Sequence, residues 1–329
     1  AIDIAKPEGQ DLIRRLLGQC DVLVHNFKTG TLGRYGLDYD DLKEAFPGLV
    51  YCSVSGFGQT GPYKERAGYD YLAQGYGGIM SITGAPDGEP MKVGIGIADI
   101  MCGMYASSAI LAALHHQRRT GEGQHLDLAL LDTQVAWLAN EGTNYLISGK
   151  VPQRLGNQHP NIVPYKLFEA ADGPVVLAAG NDRQYQRFCT FAGVPELADD
   201  ARFRTNSLRL HNRDALYELL DPVFRTKTKA EWVEGLTALG VPCGPVNNIE
   251  EVFEDPQVQH RGMRIEMPHP ASATGTVPLL GNPIKMSATP PAYDRPPPVL
   301  GQHTAEVLEE LLALDAPELT RLREAGVIN

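Results

Sequence analysis

Three short apolar or alternating runs, Asp21–Phe27, Leu49–Ser55 and Gln124–Leu130, are separated by stretches with helical spacing, and this rhythm narrows the possible folds more than any other feature of the chain. Parallel neighbours in a sheet must be joined by a crossover of a dozen or more residues, usually a helix. The order strand, helix, strand therefore predicts an α/β fold, a doubly wound, mostly parallel sheet with helices on both faces. Ala1–Ala5 alternates and predicts a further strand, followed by a helix that Pro7 opens, that carries Leu12, Ile13, Leu16 and Leu17 on one stripe, and that Gly18 ends. Short helices are predicted over Leu32–Tyr35 and Asp40–Phe46, and a long one over Asp132–Ile147. Arg66–Gln74 leads into a helix whose Gly75, Gly77 and Gly78 are costly unless something packs closely against them.

Periodicity fails over Val151–Pro164, where Pro152, Pro160 and Pro164 accompany Gly156 and Asn157, so this stretch reads as a linker or active-site loop. Beyond it, Asp172-Gly173 between two apolar runs signals a hairpin, and helical spacing returns at Arg183–Ala192, Arg213–Arg225 and Lys229–Leu239. The expected division is a large domain over 1–149, a smaller α+β domain with the loop over 150–255, an extended Pro-rich linker over 256–298, and two helices over 299–329 that return to the large domain.

One carboxylate stands out. Val93–Tyr105 (VGIGIADIMCGMY) places Asp99 in an apolar, small-residue run, at the point where a long helix is predicted to begin. Aspartate is among the commonest residues at a helix start, so position alone fits a structural cap. The flanking Gly and Ala, and the lack of an acidic or amide partner for a capping box, fit a site that leaves room for a ligand. Asp70 poses the same choice one helix earlier.

Several chemistries are disfavoured. Gly56–Gly61 (GFGQTG) matches a dinucleotide fingerprint literally, but Pro62 follows at once and no acidic strand end lies about 20 residues on, so a turn above the sheet that offers backbone N–H groups is the better reading. No G-x-S-x-G elbow is present, and no His and acidic residues share metal-ligand spacing. A formal net charge of -11, with basic residues clustered only at His115–Arg119, argues against a nucleic-acid partner. Five scattered cysteines without C-x-x-C spacing fit a reducing compartment, the cytoplasm. No apolar run is expected to reach the roughly 18 residues of a membrane span.

These motifs together resemble the class III CoA transferases, the group of the formyl-CoA and carnitine CoA-transferases. The resemblance rests on GFGQTGPY at Gly56–Tyr63, Arg66-Ala67-Gly68-Tyr69-Asp70, the VGIGIAD segment ending at Asp99, Arg118–Gln124 (RRTGEGQ) and Leu300–Thr304 (LGQHT). It spans the chain. Arg154–His159 (RLGNQH) and Ile162–Tyr165 (IVPY) resemble the succinate–hydroxymethylglutarate, or dicarboxylate, branch. The resemblance implies a large CoA-binding domain, a smaller inserted domain and an interlocked homodimer. It implies Asp99 as the nucleophile, with Asn26, Phe27, Lys28 and Arg34 on the CoA-binding strand and loop and Tyr69 and Asp70 beside the thioester. Gly156, Asn157 and His159 fall where the family's mobile glycine-rich loop covers the acyl group, although the four-glycine run of the formyl-CoA enzymes is absent. Arg66, Arg154 and His159 are candidates for holding a distal carboxylate. A strand–helix–strand unit is expected ahead of Ala1, and any signal for a mitochondrion or other organelle would lie there too.

The implied reaction moves CoA from an acyl-CoA, succinyl-CoA above all, to a small carboxylic or dicarboxylic acid through an aspartyl anhydride and an aspartyl-CoA thioester. CoA enters as a substrate thioester, and neither a metal nor a redox cofactor is needed. Two alternatives stand beside it. An α-methylacyl-CoA racemase needs an acid/base pair and carries His where this chain has Tyr69, a far weaker base near neutral pH. A catalytically silent CoA-binding module would bind without exchange.

Overall fold

The computed structural model describes residues 1–329. Helix α1 (Pro7–Leu17) leads through strand β1 (Val22–His25), a 3-10 turn (Leu32–Tyr35) and α2 (Tyr39–Leu42) to β2 (Val50–Ser55). Then come α3 (Asp70–Tyr76), α4 (Ile79–Ile82), the long α5 (Ile97–Thr120), β3 (Gln124–Ala129), α6 (Leu130–Ala136) and α7 (Ala139–Ser148). The three strands form a wholly parallel sheet in the order β1-β2-β3. Helices cover both faces. Tyr51 packs with Leu17, Leu32, Leu37, Leu42 and Leu49 on one side, and α5 lies against β2 and β3 on the other.

The expected Ala1–Ala5 strand is reduced to a single bridge between Ile2 and Ile328, because Asp3 turns away to accept from Lys6 and leaves no run of residues to pair. The expected long helix over Asp132–Ile147 is two helices, broken where Ala139 takes a left-handed φ of 44°. A side chain at Gly77 would collide with Gln134, so α3 and α6 do approach as closely as the glycines of that region require. The expectation that no apolar run reaches membrane-spanning length does not hold. Over its best window α5 has a mean hydropathy of 1.6, long and apolar enough to cross a membrane by length and composition. In this fold it serves as the sheet's covering helix. Its far end is fixed by Gln117, whose Nε2 donates to Asp21 Oδ1 (3.1 Å) and to the Gly48 carbonyl (3.0 Å).

A second unit is built on an antiparallel sheet in the order β4-β5-β6, from β4 (Tyr165–Ala170), β5 (Gly173–Ala178) and β6 (Cys243–Pro245). Five helices, α8 (Asp182–Ala192), α9 (Glu196–Asp199), α10 (Asn206–His211), α11 (Arg213–Phe224) and α12 (Lys229–Ala238), enclose its core. After α13 (Ile249–Glu254), the stretch expected to be an extended linker carries α14 (Pro256–His260) and a hairpin of β7 (Arg264–Pro268) and β8 (Thr276–Leu280). Its prolines are tolerated because a two-stranded ribbon consists of edge strands only. Helices α15 (Thr304–Leu312) and α16 (Ala316–Glu324) pack on α1 through Leu12, Leu308, Leu319 and Leu322.

Candidate active site

Asp99 is the third residue of α5, after Gly96 as the N-cap, and its side chain reaches solvent at the wall of a cavity of about 650 Å³. Gly96 has no side chain with which to cap the helix. That function comes from Asp70, the first residue of α3, whose Oδ1 accepts from the backbone N–H groups of Ala98 (2.7 Å) and Asp99 (3.4 Å). Asp70 is thus a helix cap, but for the neighbouring helix rather than its own. Its other oxygen accepts from Gln74 Nε2 (2.7 Å), and the fully buried Gln74 accepts in turn from the Val93 N–H (2.9 Å). Two residues of α3 therefore hold both the segment that leads into Asp99 and the first turn of α5.

This arrangement has an electrostatic consequence. Partial burial and, after it, the charge of Asp70 hold the Asp99 carboxyl above the usual carboxylate range. A helix N-terminus ordinarily favours an ionised carboxylate, but Asp70 already occupies the N–H groups that would do so for Asp99, and burial adds to the effect. The result is a carboxylate more basic than an ordinary surface aspartate.

The cavity opens between the C-terminal ends of β1 and β2, the crevice where ligands bind in open parallel sheets. The chain leaving β1 contributes His25, Asn26, Phe27, Lys28 and Thr29, and the chain after β2 contributes Phe57, Lys64, Arg66 and Tyr69. Close backbone approach makes this possible. Gly56 and Gly68 touch so nearly that a side chain on either would collide with the other's backbone. Phe57, Tyr63 and Tyr76 pack edge to face, and the Arg66 guanidinium lies 3.8 Å over the Tyr63 ring and donates to Tyr76 Oη (3.2 Å). Lys28, Lys64 and Arg66 thus bring three cations to the cavity that Asp99 also lines.

Of the residues singled out from sequence, Asn26, Phe27, Lys28, Tyr69 and Asp99 line this cavity, and Asp70 sits behind Asp99. Arg34 lies exposed on the 3-10 turn, outside the lining. Gly156, Asn157 and His159 are outside it as well. Their loop is held elsewhere: the Gly156 N–H donates to the Gly84 carbonyl (3.0 Å), and Arg213 donates to the carbonyls of His159 (3.0 Å) and Pro160 (2.9 Å). Arg154 donates to the carbonyls of Ala85 (3.2 Å) and Gly88 (2.7 Å), so its charge serves the loop rather than a ligand here.

The Gly56–Gly61 turn corrects another expectation. Gly58 and Gly61 have φ of 89° and 86°, as a tight turn requires, and no helix opens on them. Yet the Gly58 N–H already donates to Ser55 Oγ (3.0 Å) and the Gln59 N–H to the Asp127 carboxylate (3.0 Å), so neither is free for a phosphate or an oxyanion. Sequence reasoning missed His25, Phe57 and Lys64. The charge run Lys64-Glu65-Arg66 directly after the glycine-rich turn was the available signal for Lys64. No group of three or more His, Cys, Asp or Glu is placed to hold a metal.

With this geometry in place, the comparisons with known proteins are specific. The family model for CoA-transferase family III matches residues 1–304. The chain is 50% identical to succinate–glutarate CoA-transferase of Agrobacterium fabrum, over 95% of this chain and 78% of that one. It is 41% identical to human succinyl-CoA:glutarate CoA-transferase, over 100% of this chain and 75% of that one. Among solved structures, a CAIB/BAIF family protein from Brucella suis superposes with a TM-score of 0.83 at 47% identity, covering 94% of this chain and 80% of that one.

Proposed function

From the chain's membership of CoA-transferase family III, we propose that it transfers CoA from succinyl-CoA to a short dicarboxylate of the glutarate type, with Asp99 as the nucleophile. The observation that carries this reading is the position of Asp99, a carboxylate with raised basicity in the lining of a cavity that Lys28, Lys64 and Arg66 also line. An anionic thioester needs both.

The steps balance without an outside proton. An Asp99 oxygen attacks the thioester carbonyl, the C–S bond breaks, and CoA leaves as thiolate from a mixed anhydride. The thiolate then attacks the Asp99 acyl carbon of that anhydride, releasing succinate and leaving an aspartyl-CoA thioester. The incoming dicarboxylate attacks this thioester to form a second anhydride, and the thiolate attacks the acceptor's acyl carbon, which restores the Asp99 carboxylate. Basicity matters at the first step, and Asp70 supports it through its charge while holding the helix in register. Lys28, Lys64 and Arg66 supply positive charge for the phosphates and the distal carboxylate, the role for which Arg66 and not Arg154 is now favoured.

An interlocked homodimer belongs to the same reading. Leu146, Ile147 and Leu300 are each more than four-fifths exposed, and the α5 face with Ile100, Met104 and Leu111 is uncovered, as a surface meant for a second copy would be.

The test is intact-mass analysis after incubation with succinyl-CoA and trapping with hydroxylamine or borohydride, alongside an assay for glutaryl-CoA formation. A label on the Asp99 peptide that is lost in Asp99→Ala, with turnover reduced at least about a thousandfold, is the expected result. Binding of CoA without any label in the unaltered protein would overturn the nucleophile assignment.

A further inference from the structure

We propose that His25 is a positioning residue for the cavity: held as its neutral Nε2–H tautomer between Phe27 and Ser53, it fixes the turn Asn26–Thr29 in the form that receives the CoA moiety. The inference rests on the CoA-transferase reading of that cavity.

The tautomer follows from donors that cannot be reversed. His25 Nδ1 accepts from the backbone N–H of Phe27 (3.2 Å), so Nδ1 carries no proton. In the neutral ring the proton is on Nε2, which lies 2.8 Å from Ser53 Oγ. Ser53 is fully buried and has one proton to give, and its remaining neighbour is His125 Nε2 at 2.9 Å. His125 thus accepts there and keeps its own proton on Nδ1. One direction of donation runs across the sheet from β1 through β2 to β3. Register makes this possible, since His25 stands opposite Ser53 and His125 stands opposite Tyr51, all on one face. The rings are also wedged. Both imidazoles meet Tyr51 edge-on at 5.4 Å, and Tyr39 stacks on His125 at 4.9 Å.

The local contact alone is not distinctive, because His159 and His269 also accept from the N–H two residues on. His25 differs in two respects: its second nitrogen has a buried partner, and it lines the cavity. It is the last residue of β1, so whatever fixes its ring fixes the departure of the chain that carries Asn26, Phe27 and Lys28 into the cavity wall.

Protonation acts on this arrangement in one sense only. Burial holds His25 below the ordinary histidine range and His125 adds to this, while Asp38 at the start of α2 opposes it; the phenol of Tyr51, which meets the ring edge-on, is itself pushed up by burial and stays neutral. Acid places the new proton on Nδ1, the one unprotonated nitrogen, and turns an acceptor into a donor facing the Phe27 N–H. The turn then loses its tie. Because the native state favours the neutral ring, this contribution is present above the ordinary histidine pKa and is lost as pH falls through the lower native value.

Two measurements test this. In the free protein near pH 7.5, long-range imidazole 15N–1H spectra should show His25 protonated on Nε2 and His125 on Nδ1; a proton on His25 Nδ1 overturns the proposal whether or not CoA binds. Calorimetric titration with CoA then compares the unaltered protein with His25→Ala, His25→Asn and Ser53→Ala. Asparagine keeps an acceptor for the N–H two residues on, as in an Asx turn, but does not titrate. His25→Ala should weaken CoA binding about tenfold, the value of one lost hydrogen bond and the order it imposes, and His25→Asn should recover most of this. Ser53→Ala should fall between them. Turnover should show a raised KM with kcat within about twofold. Between about pH 7.5 and pH 5.5 the unaltered protein should lose more affinity than His25→Asn, the ligand's own phosphate titration near pH 6 being common to both. Equal affinities in all four proteins, parallel pH curves, or a loss confined to kcat would each overturn the proposal. Failure of the unaltered protein to bind CoA defeats the functional reading and with it the affinity half of the proposal, while the spectra still decide the tautomer.

Discussion

The second unit and the half that carries Asp99 are stabilised in different ways. The second unit has one core of 19 buried residues, large enough to hold Phe168, Phe188, Phe224 and Trp232 as a stack with ring centroids as close as 4.0 Å. It even accommodates a fully buried Arg209, which donates to the carbonyls of Val163 (2.6 Å) and Phe203 (2.9 Å) and to Asp182 (2.8 Å). The Asp99 half divides its apolar residues among three smaller clusters, and the one beneath Asp99 consists of Ala73, Ala98, Cys102 and Leu130 only. Small side chains cannot wedge a site in place. Here the geometry is set by backbone contact at Gly56 and Gly68 and by hydrogen bonds from Asp70 and Gln74. Stability and precision are thus supplied by different materials in different parts of the chain.

Substitutions can break this contrast or sharpen it. Trp232→Ala should have the largest effect, a loss of about 3–5 kcal/mol by denaturant unfolding, since it removes a fully buried ring and its Nε1–H bond to the Phe224 carbonyl. If it costs no more than a conservative change near Asp99, the two halves are not built differently. Gly68→Ala should do the reverse: separating two touching backbones shifts Tyr69 and Asp70, and a displacement of about 1 Å is enough to lower turnover about a hundredfold. Its unfolding midpoint should move less than that of Trp232→Ala. Asp70→Asn should be the mildest, because the amide oxygen still caps α5, while the charge and the bond from Gln74 Nε2 are gone. The Asp99 pKa then falls toward its ordinary value, and the acid limb of kcat moves to lower pH. The same change bears on stability. A carboxyl with a raised native pKa stabilises the fold only when protonated, and that contribution disappears as pH rises through the native value, so Asp70→Asn should flatten the dependence of Tm on pH across the carboxylate range.

The sheet was legible because its signals are local: period, turn residues and the glycine after α1 all agree. The break between α6 and α7 was not, since Trp137-Leu138-Ala139 contains neither Gly nor Pro and the apolar pattern runs through it. The lining of the candidate site was legible in the same uneven way. Asn26, Phe27, Lys28 and Tyr69 follow strand ends or precede a helix, where a parallel sheet places its ligand crevice, and Asp99 heads an unusual apolar helix. The cap that Asp70 gives to α5 joins residues 28 apart in sequence, and nothing in local spacing announces it. The loop 150–164 lies outside the cavity for a related reason: Gly156 bonds to Gly84 and His159 to Arg213, partners distant in sequence that local spacing does not announce.

Helix α5 is also a lever. At 1.5 Å per residue its 24 residues extend about 36 Å, with Asp99 near one end and the Gln117 anchor near the other. A tilt of only about 2° about that anchor sweeps Asp99 through roughly 1 Å, the scale on which reacting groups lose their alignment. Mechanically, the hydrogen bonds of Gln117 to Asp21 and Gly48 therefore form the fulcrum for the candidate site, although they lie at the opposite end of the helix from Asp99.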